Sequence, residues 1–304
     1  MTNNCTSKHV FSFTGGAWVH PFYFGVASCL QNHVKNIERE ESISFCGSSI
    51  SAVVLTSMLF KLNLKEVCYE AISKRNNTYI LCNMINVYNM IENVHKMIDK
   101  YIVDESIVHQ LTNKLIISLT KYTSPFKFEN VRFDKYTNIR ELKDVIKGSC
   151  HLKMFPYYVG GIRVYDAVFS NPSNMSQDIR SRLQETDILI SVTTEENNEL
   201  QSNEYNINPN ISLPILWRVF PPNITTLTNM YKLGYYVTYI FLSNYDGLNN
   251  CSMDLDLLEV TYEINSLKKQ ITNEITKLAS TINCFFCFCF CIFSFDLLPP
   301  CLSI

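Results

Sequence analysis

Residues 45–52, Phe45-Cys46-Gly47-Ser48-Ser49-Ile50-Ser51-Ala52, carry the strongest indication of fold in this chain. The apolar run Ile43–Cys46 predicts a strand, and the run from Ala52 to Phe60 predicts a helix. A strand, a sharp turn and a helix form the context in which the motif G-x-S-x-G exposes a serine hydroxyl as a nucleophile. Ser51 stands where that motif has its last glycine, so the motif is nearly complete.

A second glycine turn follows another predicted strand near the N-terminus. The segment Val10–Thr14 alternates apolar and polar residues and ends at Gly15-Gly16. Such a turn can direct backbone N–H groups at an anion, which is how an oxyanion hole is commonly built. Pro21–Leu30 predicts a helix whose N-terminus faces the same place. A signal peptide or anchor is the alternative for this apolar stretch, but the glycine pair and Pro21 favour a buried strand, turn and helix.

The two turns resemble motifs of the patatin-like phospholipase domain family, and most closely those of its adipose triglyceride lipase and adiponutrin branch. The resemblance is collinear over residues 8–175 and implies a three-layer α/β/α fold with a central mixed, mostly parallel sheet. The segments that carry it are Phe13–Ala17, Gly25–Leu30, Gly47–Ser51, Leu115–Lys121, Phe128–Val131, Ile139–Leu142, Phe155–Tyr157 and Gly161–Asp166.

Members of the family that this chain resembles hydrolyse lipid acyl esters with a serine–aspartate dyad and no histidine. The resemblance implies that Ser49 is the nucleophile and Asp166 the base. It implies no metal and no organic cofactor. The remaining implied site residues are Gly15, Gly16 and Ala17 in the oxyanion hole, and Gly47, Ser48, Ile50 and Ser51 in the elbow around the nucleophile.

Several glycines of the family's motifs are replaced here. Ala17 and His20 stand at oxyanion-motif glycines, Ser51 closes the elbow, and Ala167-Val168 follow the aspartate. A positive φ is costly for alanine, and His20 could obstruct the oxyanion hole. Two interpretations therefore stay open, an active lipid hydrolase and a catalytically impaired relative that binds or regulates at a lipid surface. A third is a membrane-associated scaffold.

Composition is typical of a globular protein that is not a nucleic-acid binder. The chain has 304 residues, 47% of them hydrophobic, which is enough for one large α/β core. The net charge of −2 and the lack of a basic run give no indication of nucleic-acid binding, and no nucleic-acid partner is expected. The 12 cysteines show no zinc-site spacing, and those scattered singly on apolar segments predict buried thiols in a reducing compartment.

The spacing of apolar residues predicts further elements along the chain. Residues Val67–Thr112 predict helices, and Ile188–Thr193 and Val237–Leu242 predict strands. The polar segment Glu195–Asn210 predicts a surface loop. Met253–Ile282 predicts a long amphipathic helix that either docks on the core or a partner, or lies on a membrane or droplet surface.

The last residues form an apolar run rich in cysteine and phenylalanine. The run Cys284–Phe295 is shorter than the roughly 20 residues of a spanning helix. It suits an interfacial segment with S-acylated cysteines, or alternatively a gene end that packs poorly.

The predicted organisation is a catalytic domain (8–194), a loop-rich extension (195–252), the amphipathic helix (253–282) and the tail (283–304). The predicted substrate is a neutral glyceride or a phospholipid. The predicted location is cytoplasmic and peripheral on a lipid droplet or membrane.

Overall fold

The computed structural model describes residues 8–74, 83–124, 127–153, 155–170, 179, 183–194, 202–218, 220–248 and 255–295. For residues 83–87 and 280–295 it describes the backbone alone. The predicted cysteine chemistry of the tail therefore lies outside the described side chains.

The described strands form one mixed sheet in the order β5-β6-β3-β2-β1-β7-β8, with β4 paired to β3. Neighbours from β3 through β2, β1 and β7 to β8 are parallel, whereas β3–β4, β3–β6 and β5–β6 are antiparallel. This confirms the α/β class with a mixed, mostly parallel sheet. The strands are β1 (His9–Phe13), β2 (Ile43–Ser48), β3 (Leu115–Ser124), β4 (Lys127–Phe133), β5 (Tyr157–Val159), β6 (Ile162–Tyr165), β7 (Ile188–Val192) and β8 (Glu204–Ile207).

Helices alternate with these strands and then follow them. Three of the helices have an asparagine as their N-cap residue. The side chains of Asn63, Asn138 and Asn223 each accept a hydrogen bond from a backbone N–H in the first turn. The helices in the described ranges are α1 (His20–His33), α2 (Ile50–Leu59), α3 (Leu64–Ser73), α4 (Asn83–Tyr101), α5 (Glu105–Val108), α6 (Ile139–Ser149), α7 (Ile224–Asn244) and α8 (Leu257–Phe295). The predicted strand–turn–helix at the N-terminus is confirmed, as are the helices predicted within Val67–Thr112, except that residues 75–82 lie outside the described residues.

Both faces of the sheet carry buried apolar side chains. Phe11, Phe45 and Ile190 belong to the main core beneath the helices. A smaller cluster on the other face contains Val10 and Leu189. Strands that are buried on both faces have nearly continuous apolar sequences, which explains why β1, β2 and β7 are recognisable without their neighbours.

Helix α7 corrects the prediction of a strand at Val237–Leu242. These residues have side chains that favour strands, but they continue the helix that packs along α1. Cβ atoms built on Gly25 and Gly234 would lie 2.0 Å from the Tyr231 carbonyl oxygen and 2.1 Å from the Phe22 carbonyl oxygen, so the two helix backbones touch. This close packing decides the structure, because intrinsic propensity is weak compared with tertiary contacts.

Strand β8 corrects part of the predicted loop at 195–210. Residues Glu204–Ile207 pair in parallel with β7 and extend the sheet beyond residue 194. Residues 195–201 lie outside the described residues. The division of the chain into four segments stays a prediction.

Helix α8 is confirmed and continues to Phe295, beyond the predicted end at Ile282. Val260, Ile264, Leu267 and Ile271 of its apolar stripe are buried in the main core. This part of the stripe therefore docks on the protein. In the part of the chain that is described, no helix combines the length and the apolar character needed to cross a membrane.

The topology around β3 brings the C-terminal ends of two strands, β2 and β6, close together. Strand β4 occupies one edge of β3, so β2 and β6 share the other edge. Strand β2 runs along β3 as far as the pair Ser48–Ser118, and β6 comes from the opposite direction and ends at the pair Tyr165–Thr120. The residues that follow the two strands therefore face each other across two residues of β3, roughly 7 Å.

Candidate active site

Ser49 lies at the tight turn between β2 and α2. Its backbone angles are φ 55° and ψ −135°, in a region that costs a non-glycine residue about 1–3 kcal/mol. Strain of this kind is typical of a serine held clear of its strand and helix as a nucleophile. A Cβ built on Gly47 would lie 2.8 Å from Leu55 Cδ1 and 3.2 Å from the Ala52 nitrogen, so glycine lets α2 pass close to β2.

Two serine hydroxyls hold this elbow in place. The Ser49 N–H donates to Ser149 Oγ at 2.8 Å, and that hydroxyl donates to the Ser118 carbonyl at 2.7 Å. Ser51 is fully buried, and its hydroxyl donates to the Thr14 carbonyl. Ser51 therefore replaces the closing glycine without loss of the turn, and its hydroxyl links the elbow to the turn after β1.

Asp166 is the first residue after β6 and is buried, with 2% of its surface exposed. Its Oδ1 accepts the Val168 N–H at 2.9 Å, and its own N–H donates to the His151 carbonyl at 3.0 Å. The Thr120 hydroxyl donates to the Asp166 carbonyl at 2.8 Å. Burial raises the pKa of Asp166 to about 6, although hydrogen bonds from the Ser49 hydroxyl and the Val168 N–H act to lower it.

The contact between Ser49 and Asp166 is loose. The hydroxyl is close enough to favour the ionised carboxylate, yet Oδ2 accepts no hydrogen bond of standard geometry from the described residues. Catalytic hydrogen bonds are often long without substrate and tighten when it binds. The structure thus brings the two residues of the predicted dyad together.

The predicted oxyanion turn lies against the elbow. A Cβ built on Gly15 would lie 3.2 Å from Ser49 Cβ. Ala17 has φ 44°, so the chain adopts the left-handed conformation here despite the loss of glycine. No backbone hydrogen bond within the described ranges uses the N–H of Gly15, Gly16 or Ala17. Helix α2 begins at Ile50, whose N–H has no acceptor within the helix, so backbone donors come from two sides.

His20 forms part of the wall beside this turn. Its Nδ1 donates to the Ala17 carbonyl at 2.8 Å, and its ring packs between those of Trp18 and Phe24. Burial lowers the pKa of His20 to about 4, so the ring is neutral at pH 7. The side chain therefore supports the turn and leaves a pocket open beside Ser49.

This pocket is mostly apolar, narrow and partly open to solvent, with a cavity volume of about 40 Å³. Ala17 and Ser49 lie in its wall beside Trp18, Phe24 and Met97. Pockets that bind small ligands combine such apolar walls with a few placed polar groups. The apolar character of these walls suits an acyl chain whose carbonyl carbon lies at Ser49.

Sequence reasoning missed the groups that support the site. Ser149 and Thr120 are fully buried and hold the backbones of Ser49 and Asp166. Thr120 had one signal, a small polar residue within an apolar segment, whereas Ser149 lies among polar residues and no sequence signal marks it. No group of three or more potential metal ligands occurs in the described portion of the chain. The cysteines described there, Cys29, Cys46, Cys68 and Cys150, are buried thiols that form no disulfide with one another, as predicted.

Comparisons with known proteins gave distant structural likenesses alone. No protein-family profile matches the chain, and no curated protein sequence matches it. The crystal structure of VipD from Legionella pneumophila is similar over 90% of this chain and 77% of its own, with 12% identity and a TM-score of 0.42.

Two structures of the ExoU–SpcU complex of the Pseudomonas aeruginosa type III secretion system are also similar to this chain. They cover 97% and 92% of it at 10% and 11% identity, with TM-scores of 0.31 and 0.32. The chain spans 65% and 61% of the matched chains. These identities and TM-scores are too low to indicate a function, so the function is inferred from the geometry of the site.

Proposed function

We propose that this chain is a patatin-like serine hydrolase of lipid acyl esters. The observation that carries the proposal is the strained Ser49 at a strand–helix elbow, next to the buried Asp166 and within an apolar pocket. A strained backbone at a pocket wall is a recognised mark of functional sites. A raised carboxylate pKa in the same place is another.

The reaction follows from the groups that meet there. Ionised Asp166 takes the proton of Ser49 Oγ as this oxygen attacks the acyl carbonyl carbon. The oxyanion receives hydrogen bonds from the N–H groups around Gly15, Gly16 and Ala17. Collapse breaks the ester C–O bond, and the leaving alkoxide takes the proton from Asp166. Asp166 then takes a proton from a water molecule whose oxygen attacks the acyl carbon. The bond from this carbon to Ser49 Oγ breaks, Oγ takes the proton from Asp166, and the fatty acid leaves.

The substrate class follows from the walls of the pocket. Trp18, Phe24 and Met97 present apolar surface to an acyl chain, which supports a glyceride or a phospholipid. Hydrolysis of triacylglycerol, as in the adipose triglyceride lipase and adiponutrin branch, is the narrower form of this proposal. In this proposal the enzyme is cytoplasmic and works peripherally on the surface of a lipid droplet or a membrane.

A catalytically impaired lipid-binding protein is the second candidate. The observation in its favour is the loose contact between Ser49 and Asp166, together with the strained Ala17 in the oxyanion turn. The same apolar pocket would then hold a lipid without cleaving it.

Covalent labelling with a fluorophosphonate probe separates the two candidates. We expect labelling of the wild-type chain, loss of it in Ser49→Ala, and a large decrease in Asp166→Asn. Because the base must be ionised, the labelling rate should reach half its maximum near pH 6 and fall about tenfold from pH 7 to pH 5. A folded wild-type chain that is not labelled would favour the impaired relative.

A further inference from the structure

One end of the sheet has an open face that carries exposed aromatic side chains. Residues paired across strands point to the same face, as do residues two apart along a strand. Tyr122 pairs with Phe128, and Tyr165 pairs with Thr120, two residues before Tyr122. These three aromatic side chains therefore share one face of β3, β4 and β6.

Helix α6 covers the opposite face of this end. A Cβ built on Gly148 of α6 would lie 2.9 Å from Val164 and 3.0 Å from Leu119, residues that alternate with those of the aromatic face. Leu119 and Val164 on the α6 side are fully buried. The aromatic face is covered in part by the short turn Ala167–Phe169.

The rings on this face form one connected patch, which we call the aromatic patch: Tyr122, Phe128, Tyr165 and Phe169. Their centroids are 5.7–6.3 Å apart in the five ring pairs that they form. Phe128 is 42% exposed and Phe169 49% exposed, and Val168 beside them is 45% exposed. Half-exposed aromatic rings that touch each other are a contiguous apolar surface, which usually marks an interaction site.

Positive charge lies on the aromatic face. The Arg163 guanidinium lies 5.6 Å from the centre of the Tyr122 ring, and Arg163 is exposed. By the register of the strands, Arg163 and Arg132 share the face of the aromatic rings, whereas Lys121 and the ion pair Lys127–Glu129 belong to the α6 side. In the described strands β3, β4 and β6, the aromatic face therefore carries two cations, which complement a surface of anionic lipid head groups.

The aromatic patch lies on the same edge of the sheet as the candidate active site. Strand β2 ends opposite Ser118, and β3 continues for six residues to Ser124, roughly 20 Å beyond that point. Phe169 follows Asp166 by three residues in the same turn. A surface that holds the patch would therefore lie next to the turn that carries Asp166, on the face of the sheet opposite α6.

We propose that the aromatic patch, together with Arg132 and Arg163, docks on the surface of an anionic lipid bilayer. The role of this docking in delivering substrate to Ser49 rests on the proposed function, whereas the docking itself does not. Tyrosine and phenylalanine rings enter the interfacial region of the bilayer, and the cations contact lipid phosphates. The docked membrane then lies next to the turn that carries Asp166.

Vesicle binding by the full chain tests this proposal. The Ser49→Ala chain is used throughout, so that no lipid is consumed, and its co-sedimentation is measured with vesicles of phosphatidylcholine alone and of phosphatidylcholine with phosphatidylserine. We expect stronger binding to the anionic vesicles and weaker binding as salt rises. The added changes Phe128→Ser and Arg163→Glu should weaken binding to anionic vesicles about 10- to 100-fold.

The matched control is Tyr262→Ser on α8, which removes another aromatic ring, 73% exposed, away from the patch. It should bind as the parent chain does, and circular dichroism should show the patch variant folded. An unfolded double variant would be replaced by Arg163→Glu alone, with about a tenfold loss of binding expected.

Equal vesicle binding by the patch variant and the parent would overturn the proposal, as would a parent chain that binds no vesicles. A parent dimer that the patch variants dissociate would assign the face to a second copy and would also overturn it. If the wild-type chain binds vesicles but is not labelled by the fluorophosphonate probe, the proposed function is wrong and the docking proposal stands.

Discussion

Replacing Asp166 with asparagine should stabilise the fold at neutral pH while it removes activity. The carboxylate is buried, and its Oδ2 accepts no well-formed hydrogen bond from the described residues. Burial raises the pKa of Asp166 from 3.8 to about 6. A shift of about two pKa units corresponds to about 3 kcal/mol by which the folded state disfavours the ionised form.

The pH dependence of this effect has a definite sign. The folded-state pKa is above the unfolded-state pKa, so the native protein binds the proton more tightly. The destabilisation is therefore absent below about pH 4, increases between pH 4 and pH 6, and is complete above pH 6. Asparagine is uncharged at every pH and can still accept the Val168 N–H through Oδ1, so it avoids the penalty.

Urea unfolding at pH 7.5 and pH 4 measures the effect. We expect the free energy of unfolding of Asp166→Asn to exceed that of the wild type by about 2–3 kcal/mol at pH 7.5 and to match it at pH 4. The control is Asp246→Asn, because Asp246 is exposed and its change should stay within about 0.5 kcal/mol at both pH values. The same difference for Asp166→Asn at the two pH values would refute the burial argument.

Three further changes test the packing of the site and the fold. Gly15→Ala places a methyl group 3.2 Å from Ser49 Cβ, so the probe labelling rate should fall at least about tenfold while stability changes by less than about 1 kcal/mol. Ser149→Ala removes the acceptor of the Ser49 N–H and should lower the free energy of unfolding by about 2–4 kcal/mol in urea, with slower labelling. Gly25→Ala would place a methyl group 2.0 Å from the Tyr231 carbonyl oxygen, so α1 and α7 would have to move apart. Of the three substitutions, it should lower the melting temperature most.

Matched substitutions control these three experiments. Ser73→Ala removes an exposed hydroxyl on α3 and should change stability by less than about 0.5 kcal/mol. Gly160→Ala adds a methyl group to open space at φ 54° and should cost only about 1–2 kcal/mol. A Gly25→Ala chain as stable as Gly160→Ala would contradict the close contact of α1 and α7. Unchanged labelling of Gly15→Ala would contradict its position against Ser49.

Local sequence patterns were sufficient to predict the strands and turns that position Ser49 and the oxyanion turn. The alternation of Val10–Thr14, the glycine pair after it and the elbow Gly47–Ser51 depend on neighbours a few residues away. Their structures were therefore predictable from steric limits on turns and from the burial of apolar strands. The same is true of α8, whose apolar stripe has helical spacing.

Other elements depend on partners that are distant in the chain. Residues Val237–Leu242 have side chains suited to a strand, but contact with α1 makes them helical. Residues Glu204–Ile207 become a strand because the edge of β7 is available for backbone pairing. Neither outcome is encoded within a short window of sequence.

The sequence by itself determined the strand–turn–helix units and which serine stands at the elbow, because these depend on backbone sterics and on residue spacing. The tertiary structure alone decided that Asp166 meets Ser49, since β2 and β6 arrive from opposite directions on one edge of β3. It also decided the pKa of Asp166, because burial depends on the packing of residues from the whole domain. Chemistry at this site thus requires a long-range arrangement that no local pattern specifies.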